Sequence, residues 1–212
     1  MDERFGQLKE KVIYGDMESA EQLVSELLAA GEDAKKIVDE SLIPAMDVVG
    51  VKFQEFEFFI PELLVAARAM DACLKLVKPK LEGSSAKPVG VVVIGTVKGD
   101  LHDIGKNIVS AMLKGAGFEI IDVGVDVEAA KFVDAAEKSE ADIIALSALL
   151  TTTMLEMRGI VDKLKSKGLH GKVKVMVGGA PLTQEFANKI GADAYSQDAT
   201  GAVKKARELM SA

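Results

Sequence analysis

Apolar residues in the first third of the chain recur at the three-and-four spacing of a helix face: Phe5, Leu8, Val12 and Ile13, then Ala20, Leu23, Val24, Leu27 and Leu28. Asp16 and Asp33 stand where a carboxylate caps the starts of a second and a third helix, and Gly31 stands where a helix should stop. Pro44, inside "ESLIPAMDVVGVKF", is expected to kink or divide the third helix, whereas Pro61 suits the first turn of a fourth. The pattern predicts a bundle of four or five helices over residues 1–81. "EGSSAKP", 82–88, is small, polar and Pro-containing, the composition of a linker.

From residue 89 to 212 the texture changes. Continuous apolar runs at 89–95, 118–124, 141–147, 172–179 and a short 192–196 alternate with amphipathic stretches at 104–115, 127–138, 154–167, 182–190 and 198–210. Strands apolar at nearly every position must be covered on both faces, which means a parallel sheet between helices. Five such units fit a flavodoxin-like sheet of order 2-1-3-4-5. In that order ligands bind beyond the carboxyl ends of the strands, where strands 1 and 3 flank the reversal of winding. The loops after strands 1, 3 and 4, at 95–105, 147–153 and 178–181, then open on one edge. The helical bundle followed by this α/β sheet is the expected fold class.

Bulk properties remove several functions. A net charge of −7 over 212 residues argues against nucleic acid, which requires a basic face. No stretch approaches the roughly 20 apolar residues of a membrane span, and the charged N-terminus does not resemble a signal peptide. The single cysteine, Cys73, lies on an apolar helical face and suits packing in a cytoplasmic protein.

One of only two histidines, His102, falls in "GDLHDIGKNIV" in the first of the converging loops; the other, His170, reads as an exposed turn residue at the opposite edge. Hydrolase chemistry lacks a G-x-S-x-G turn, and a zinc site lacks the second and third ligands. The glycines and lysines of "GTVKGDLHDIGKN" match neither a P-loop nor G-x-G-x-x-G, and a phosphoacceptor receiver would want an Asp where strand 3 ends in Ser147. Two readings stay open. His102 is either satisfied by local hydrogen bonds, or it is the one protein ligand to a metal whose other positions a macrocycle fills, with Asp100 orienting its second nitrogen.

"DLHDIG", Asp100-x-His102-x-x-Gly105, followed by "SALLTTT" with Ser147-x-Leu149 and then Gly178-Gly179, resembles the three-part signature of methionine synthase-type cobalamin-binding domains. "LIPAMDVVGVKF" and "FFIPELLVAARAM" are similar to the helical cap of that family. The likeness spans nearly the whole chain and points to the corrinoid proteins of anaerobic methyltransferase systems. It implies cobalamin or a related corrinoid as cofactor, with His102 as the lower axial ligand of cobalt in place of the cofactor's own base. Asp100 would accept the His N–H, and Thr153 would be the third relay member, a hydroxyl where Ser is commoner. Ser147 and Thr151 would line the slot for the displaced nucleotide tail, with Gly99, Gly105, Gly178 and Gly179 allowing backbone to approach it. Leu101, Asp103, Ile104, Leu149 and Ala180 complete the motif residues set against the cofactor. Among Phe53, Phe56, Phe58, Phe59 and Met70 the resemblance seeks side chains that shelter the upper face of the corrin.

The resemblance implies a carrier of methyl groups on cobalt, loaded by a donor-specific methyltransferase and unloaded by a second one acting on tetrahydrofolate or coenzyme M. A reductive activator protein is the third expected partner, and the relay is expected to couple proton uptake to ligand release. The other reading is a cobalamin-responsive regulatory module that transfers no methyl group. Such a module is expected to carry an output domain, for which these residues show no pattern.

Overall fold

In a computed structural model of the chain, residues 2–81 and 88–211 are described. The expected linker, 82–88, lies outside them except for Pro88. The chain groups into two compact units, Met1–Lys87 with Lys114–Gly117, and Pro88–Leu113 with Phe118–Ala212.

The first unit is helical. Asp2 accepts from the Arg4 amide to start α1 (Glu3–Ile13), Asp16 accepts from the Ser19 amide to start α2 (Met17–Ala29), and Asp33 accepts from the Lys35 amide to start α3 (Ala34–Ile37). The apolar stripe of the sequence is the buried one: Phe5, Leu8 and Val12 from α1, and Ala20, Val24 and Leu27 from α2. Burying each such Leu, Val or Phe contributes roughly 1.5–3 kcal/mol. The helix is divided next to Pro44, but without an open break. The chain passes from α3 into a π-helical turn, Val38–Leu42, in which the Ile43 amide reaches back five residues to the Val38 carbonyl, and then into α4 (Ile43–Gln54). Pro44 thereby falls in the first turn of α4, where its missing N–H matters least. Pro61 likewise opens α5 (Ile60–Leu81), whose buried face includes Leu63, Met70, Cys73 and Val77.

The second unit alternates β1 (Val91–Val97), α6 (Ile104–Gly115), β2 (Glu119–Val127), α7 (Ala129–Lys138), β3 (Ile143–Ser147), α8 (Glu156–Ser166), β4 (Lys174–Gly178), α9 (Gln184–Ile190), β5 (Ala194–Ser196) and α10 (Ala199–Met210). All pairings are parallel, in the order β2-β1-β3-β4-β5. Val93, Ile144, Val175 and Val177 from the sheet pack against Phe132, Val133, Ile160, Val161 and Leu164 from the helices in one buried cluster. At the opening edge of the sheet, Asp142 and Asp193 accept the first free amides of β1 and β4, Val91 at 2.8 Å and Val175 at 2.7 Å. At the carboxyl edge, Thr96, Ser147, Gly178 and Ser196 stand in register across four strands.

Two strands outrun their sequence patterns. β1 continues through buried Thr96 and Val97, and β2 continues past Gly124 to Val127. The extension of β2 is irregular, with register shifts against β1 on both sides of Gly95 and left-handed backbone at Gly124 and Asp126.

Candidate functional site

The carboxyl end of β1 turns through Lys98 and Gly99, with the Asp100 amide bonded back to the Val97 carbonyl at 3.1 Å. That turn drives the Asp100 carboxylate inward, to 1% exposure. Four donors meet it. Oδ1 accepts from the His102 amide at 3.0 Å and from His102 Nδ1 at 2.8 Å; Oδ2 accepts from the Leu149 amide and the Thr153 hydroxyl, both at 2.7 Å. Burial alone would raise the pKa of this acid. The Leu149 amide, the Thr153 hydroxyl and both groups of His102 outweigh it and hold the carboxyl well below the ordinary range.

An ionised Asp100 can only accept, so the bond to His102 assigns the ring proton to Nδ1 and leaves the lone pair on Nε2. The His102 side chain is 53% exposed, and Nε2 has no hydrogen-bond partner among the described residues. Its backbone is held from the other side, where Thr96 Oγ1 donates to the His102 carbonyl at 2.9 Å. One ring nitrogen is fixed and the other is presented.

The strand register brings in the remaining loops. Ser147 lies between Thr96 and Gly178, and the Ala148 amide donates to the Gly178 carbonyl at 3.3 Å. Gly179 has φ 136°, and a Cβ built there would stand 1.8 Å from the Ala148 carbonyl oxygen, so only glycine closes this contact. Asp103 starts α6 by accepting from the Asn107 amide at 2.8 Å. Leu101, Ile104, Leu149 and Leu150 are exposed apolar residues in the two loops that carry His102 and Thr153, and Thr151 and Ala180 are exposed beside them. Gly105, in the first turn of α6, has nothing within 4 Å of where a Cβ would stand. Direct hydrogen bonds therefore join Asp100, His102, Leu149 and Thr153, sheet register adds Ser147 and Gly178, and the close approach to Ala148 adds Gly179. No such contact joins Leu101, Ile104, Gly105, Thr151 or Ala180 to them.

The sequence reading missed two members, Thr96 and Asp126, and named Leu149 without its main-chain bond to Asp100. Thr96 and the Leu149 amide act as described, and Asp126 bonds to both Gly99 and Asp100. Met70 is 1% exposed and belongs to packed side chains, unlike Phe56 at 79% and Phe59 at 59%. His170 is an exposed turn residue near the start of β4.

Among the described residues no group of three or more His, Cys, Asp or Glu side chains is placed to hold a metal ion. A presented imidazole without co-ligands, flanked by exposed apolar residues, suits a metal that arrives in its own equatorial ring and is a poor fit to a bare cation. The corrin cobalt of cobalamin meets that description, and the residues fit it.

Comparison with known proteins agrees with this geometry. Two family profiles, each described as a B12 binding domain, match residues 90–205 and residues 5–78. Trimethylamine corrinoid protein 1 of Methanosarcina mazei is 43% identical over 211 residues, covering 99% of this chain and 98% of that protein. Dimethylamine corrinoid protein 1 of Methanosarcina acetivorans is 49% identical over 184 residues, covering 86% of each. Among solved structures, the methanol:cobalamin methyltransferase complex of Methanosarcina barkeri aligns with TM-score 0.90 at 29% identity, over 99% of this chain and 80% of that one. A cobalamin-binding protein of Desulfitobacterium hafniense DCB-2 aligns with TM-score 0.79 at 32% identity, over 97% and 98%.

Fold and site together define a B12-binding protein in which a helical unit accompanies a sheet that offers one imidazole at its carboxyl edge. Within that class, the chain belongs to the corrinoid proteins of methyltransferase systems.

Proposed function

We propose that the chain is the corrinoid methyl carrier of a methylamine-dependent methyltransferase system, and that His102 would hold the cobalt of the corrinoid through Nε2. The observation that carries this reading is the half-exposed His102 ring, anchored at Nδ1 by a buried carboxylate and open at Nε2. When bound, the corrinoid supplies a cobalt centre that accepts a methyl group from one methyltransferase and yields it to another.

The chain's own residues supply the frame. Asp100 fixes the tautomer and increases the basicity of Nε2, as a carboxylate behind a metal-bound His does. The Leu149 amide and Thr153 hydroxyl hold that carboxylate in place. The contact between Gly179 and Ala148 keeps the loops after β3 and β4 together. The proteins named for di- and trimethylamine are 42–49% identical to this chain, against 29% for the methanol complex, which supports a methylamine as donor. Methyltransferases are the partners, a reductive activator protein completes the set, and the cytoplasm is the site of action. No described helix is long and apolar enough to cross a membrane.

Anaerobic reconstitution with hydroxocobalamin, followed by electron paramagnetic resonance of the cobalt(II) form, tests the ligand. In protein labelled with 15N-histidine the one-nitrogen splitting should change from three lines to two in the native chain and not in His102→Ala; a label without effect in the native chain would refute the assignment. Mono-, di- and trimethylamine methyltransferases, each with its substrate, then test the donor. Loading with methanol and its methyltransferase alone would overturn the methylamine reading.

A further inference from the structure

Three non-glycine residues among those described have left-handed backbone: Phe56, Asp126 and Glu140. Phe56 and Glu140 lie just past the ends of α4 and α7, where a helix terminus commonly takes that conformation. Asp126 does not follow a helix. It sits in the irregular end of β2 at φ 53°, and that conformation lets one residue bond twice to the loop of His102. Its amide donates to the Asp100 carbonyl at 3.0 Å, and its Oδ1 accepts from the Gly99 amide at 2.7 Å. Regular strand backbone at 126 would aim the amide in the plane of the sheet and the side chain out of it, and lose one of the two bonds.

The other end of the same loop is also tied to β2. Lys106, 4% exposed in the first turn of α6, forms an ion pair with Asp122 and donates to Asn107 Oδ1 at 2.8 Å. Asp122 in turn accepts from the Gly124 amide at 2.8 Å, which secures the turn leading to Asp126. Two carboxylates four residues apart on β2 thus bracket residues 99–106. Asp100 reaches His102 on one side and Thr153 on the other only if its own backbone stays fixed, and Asp126 is what holds that backbone from outside.

We infer that Asp126 is a positioning residue for His102, a two-bond clasp on Gly99 and Asp100 that keeps the imidazole in the orientation that binds cobalt. The inference rests on His102 being the ligand, and its test separates the two claims.

The experiment compares the full chain with Asp126→Gly, which keeps the left-handed backbone and deletes the acceptor, and Asp126→Asn, which keeps an acceptor oxygen and tolerates the same backbone. Amide exchange is followed first on corrinoid-free protein. In Asp126→Gly the Gly99 amide should exchange roughly tenfold faster or more, the scale of one lost bond to a charged acceptor, while the amides of β4 and β5 are unchanged. After reconstitution with hydroxocobalamin, the cobalt(II) spectrum of Asp126→Gly should show a reduced fraction with histidine nitrogen splitting. Asp126→Asn should restore that fraction. Unchanged Gly99 exchange in Asp126→Gly overturns the clasp, and so does an Asn variant as impaired as the Gly variant. Faster exchange with a full histidine signal overturns the positioning role. Absence of the histidine signal from the native chain itself removes the ligand reading, while the exchange data still decide whether the clasp exists.

Discussion

Asp100→Asn changes one atom and disrupts the whole site. The carboxylate accepts four hydrogen bonds, two on each oxygen, and donates none. An amide in its place offers one accepting oxygen and an NH2 that faces two donors. If the NH2 turns toward Oδ2's partners, Thr153 can swing its hydroxyl to the Leu150 carbonyl, 3.1 Å away, and accept from the amide, but the Leu149 N–H is stranded. If it turns toward His102, the ring can move its proton to Nε2 and accept at Nδ1, but the His102 N–H is stranded. Either way one amide loses its partner at about 1–3 kcal/mol, and the surviving bonds lose their charge assistance at roughly 1 kcal/mol more. Corrinoid-free Asp100→Asn should therefore unfold in urea with its second unit about 2–4 kcal/mol less stable at pH 7.

The pH dependence follows from the depressed pKa. A carboxyl whose folded value lies below its unfolded value of 3.8 contributes stability that is complete above that value and is lost as the pH falls through the folded pKa. The gap between native chain and variant should be flat from pH 6 to 8 and narrow below about pH 4. Urea titrations at several pH values, read by circular dichroism and by the exchange of β1 and β3 amides, measure it. A difference under about 0.5 kcal/mol at pH 7, or one that grows as the pH falls, would refute the account of Asp100 as a charge held by four donors.

Thr153→Val preserves shape and deletes the hydroxyl, and should cost about 1–3 kcal/mol in the same titration, with Thr153→Ser within roughly 0.5 kcal/mol of native. Gly179→Ala collides with the Ala148 carbonyl and should destabilise by more than about 3 kcal/mol; a milder loss would mean the loops after β3 and β4 yield easily. Gly105→Ala adds a methyl group into open space on a helix, so the corrinoid-free chain should gain roughly 0.5–1 kcal/mol while hydroxocobalamin binding weakens. Unaltered affinity would release Gly105 from the site. Burial pushes the Cys73 thiol up to about 12, so a disulfide reagent should leave it unmodified in the native chain at pH 8 and label it only on unfolding.

The layout of the second unit was legible because parallel strands covered on both faces are apolar at nearly every position and their helices are not. The bundle was legible in the same way, down to the caps at Asp16 and Asp33. Pro44 marks the division of the third helix as expected, and what the pattern could not show is that the division is a π turn that reroutes the bonding without an open break. In the site, Asp100 and His102 stood out by their chemistry, Thr153 entered only through the family resemblance, and all three are hydrogen-bonded in the structure. The Leu149 amide could not stand out, since its contribution is the main-chain N–H that every residue but proline carries. Asp126 was hidden for a related reason. In "VGVDVE" it reads as a polar interruption after a strand, and only its positive φ turns both its donor and its acceptor toward the same loop.

The exposure of the relay divides it into a fixed and a movable part. Asp100 and Thr153 are 1% and 7% exposed, while the His102 side chain is 53% exposed. Moving Asp100 would strand the Leu149 amide and leave the Thr153 hydroxyl only the Leu150 carbonyl, 3.1 Å away; turning the His102 ring about its side-chain bonds would break one bond to Oδ1 and leave the backbone bond beside it intact. Disrupting one partly exposed bond costs about 1–2 kcal/mol, against several for a carboxylate stripped of four. Motion at this site is therefore cheaper for the imidazole than for the anion, and Asp100, Leu149 and Thr153 form the socket that holds the ring.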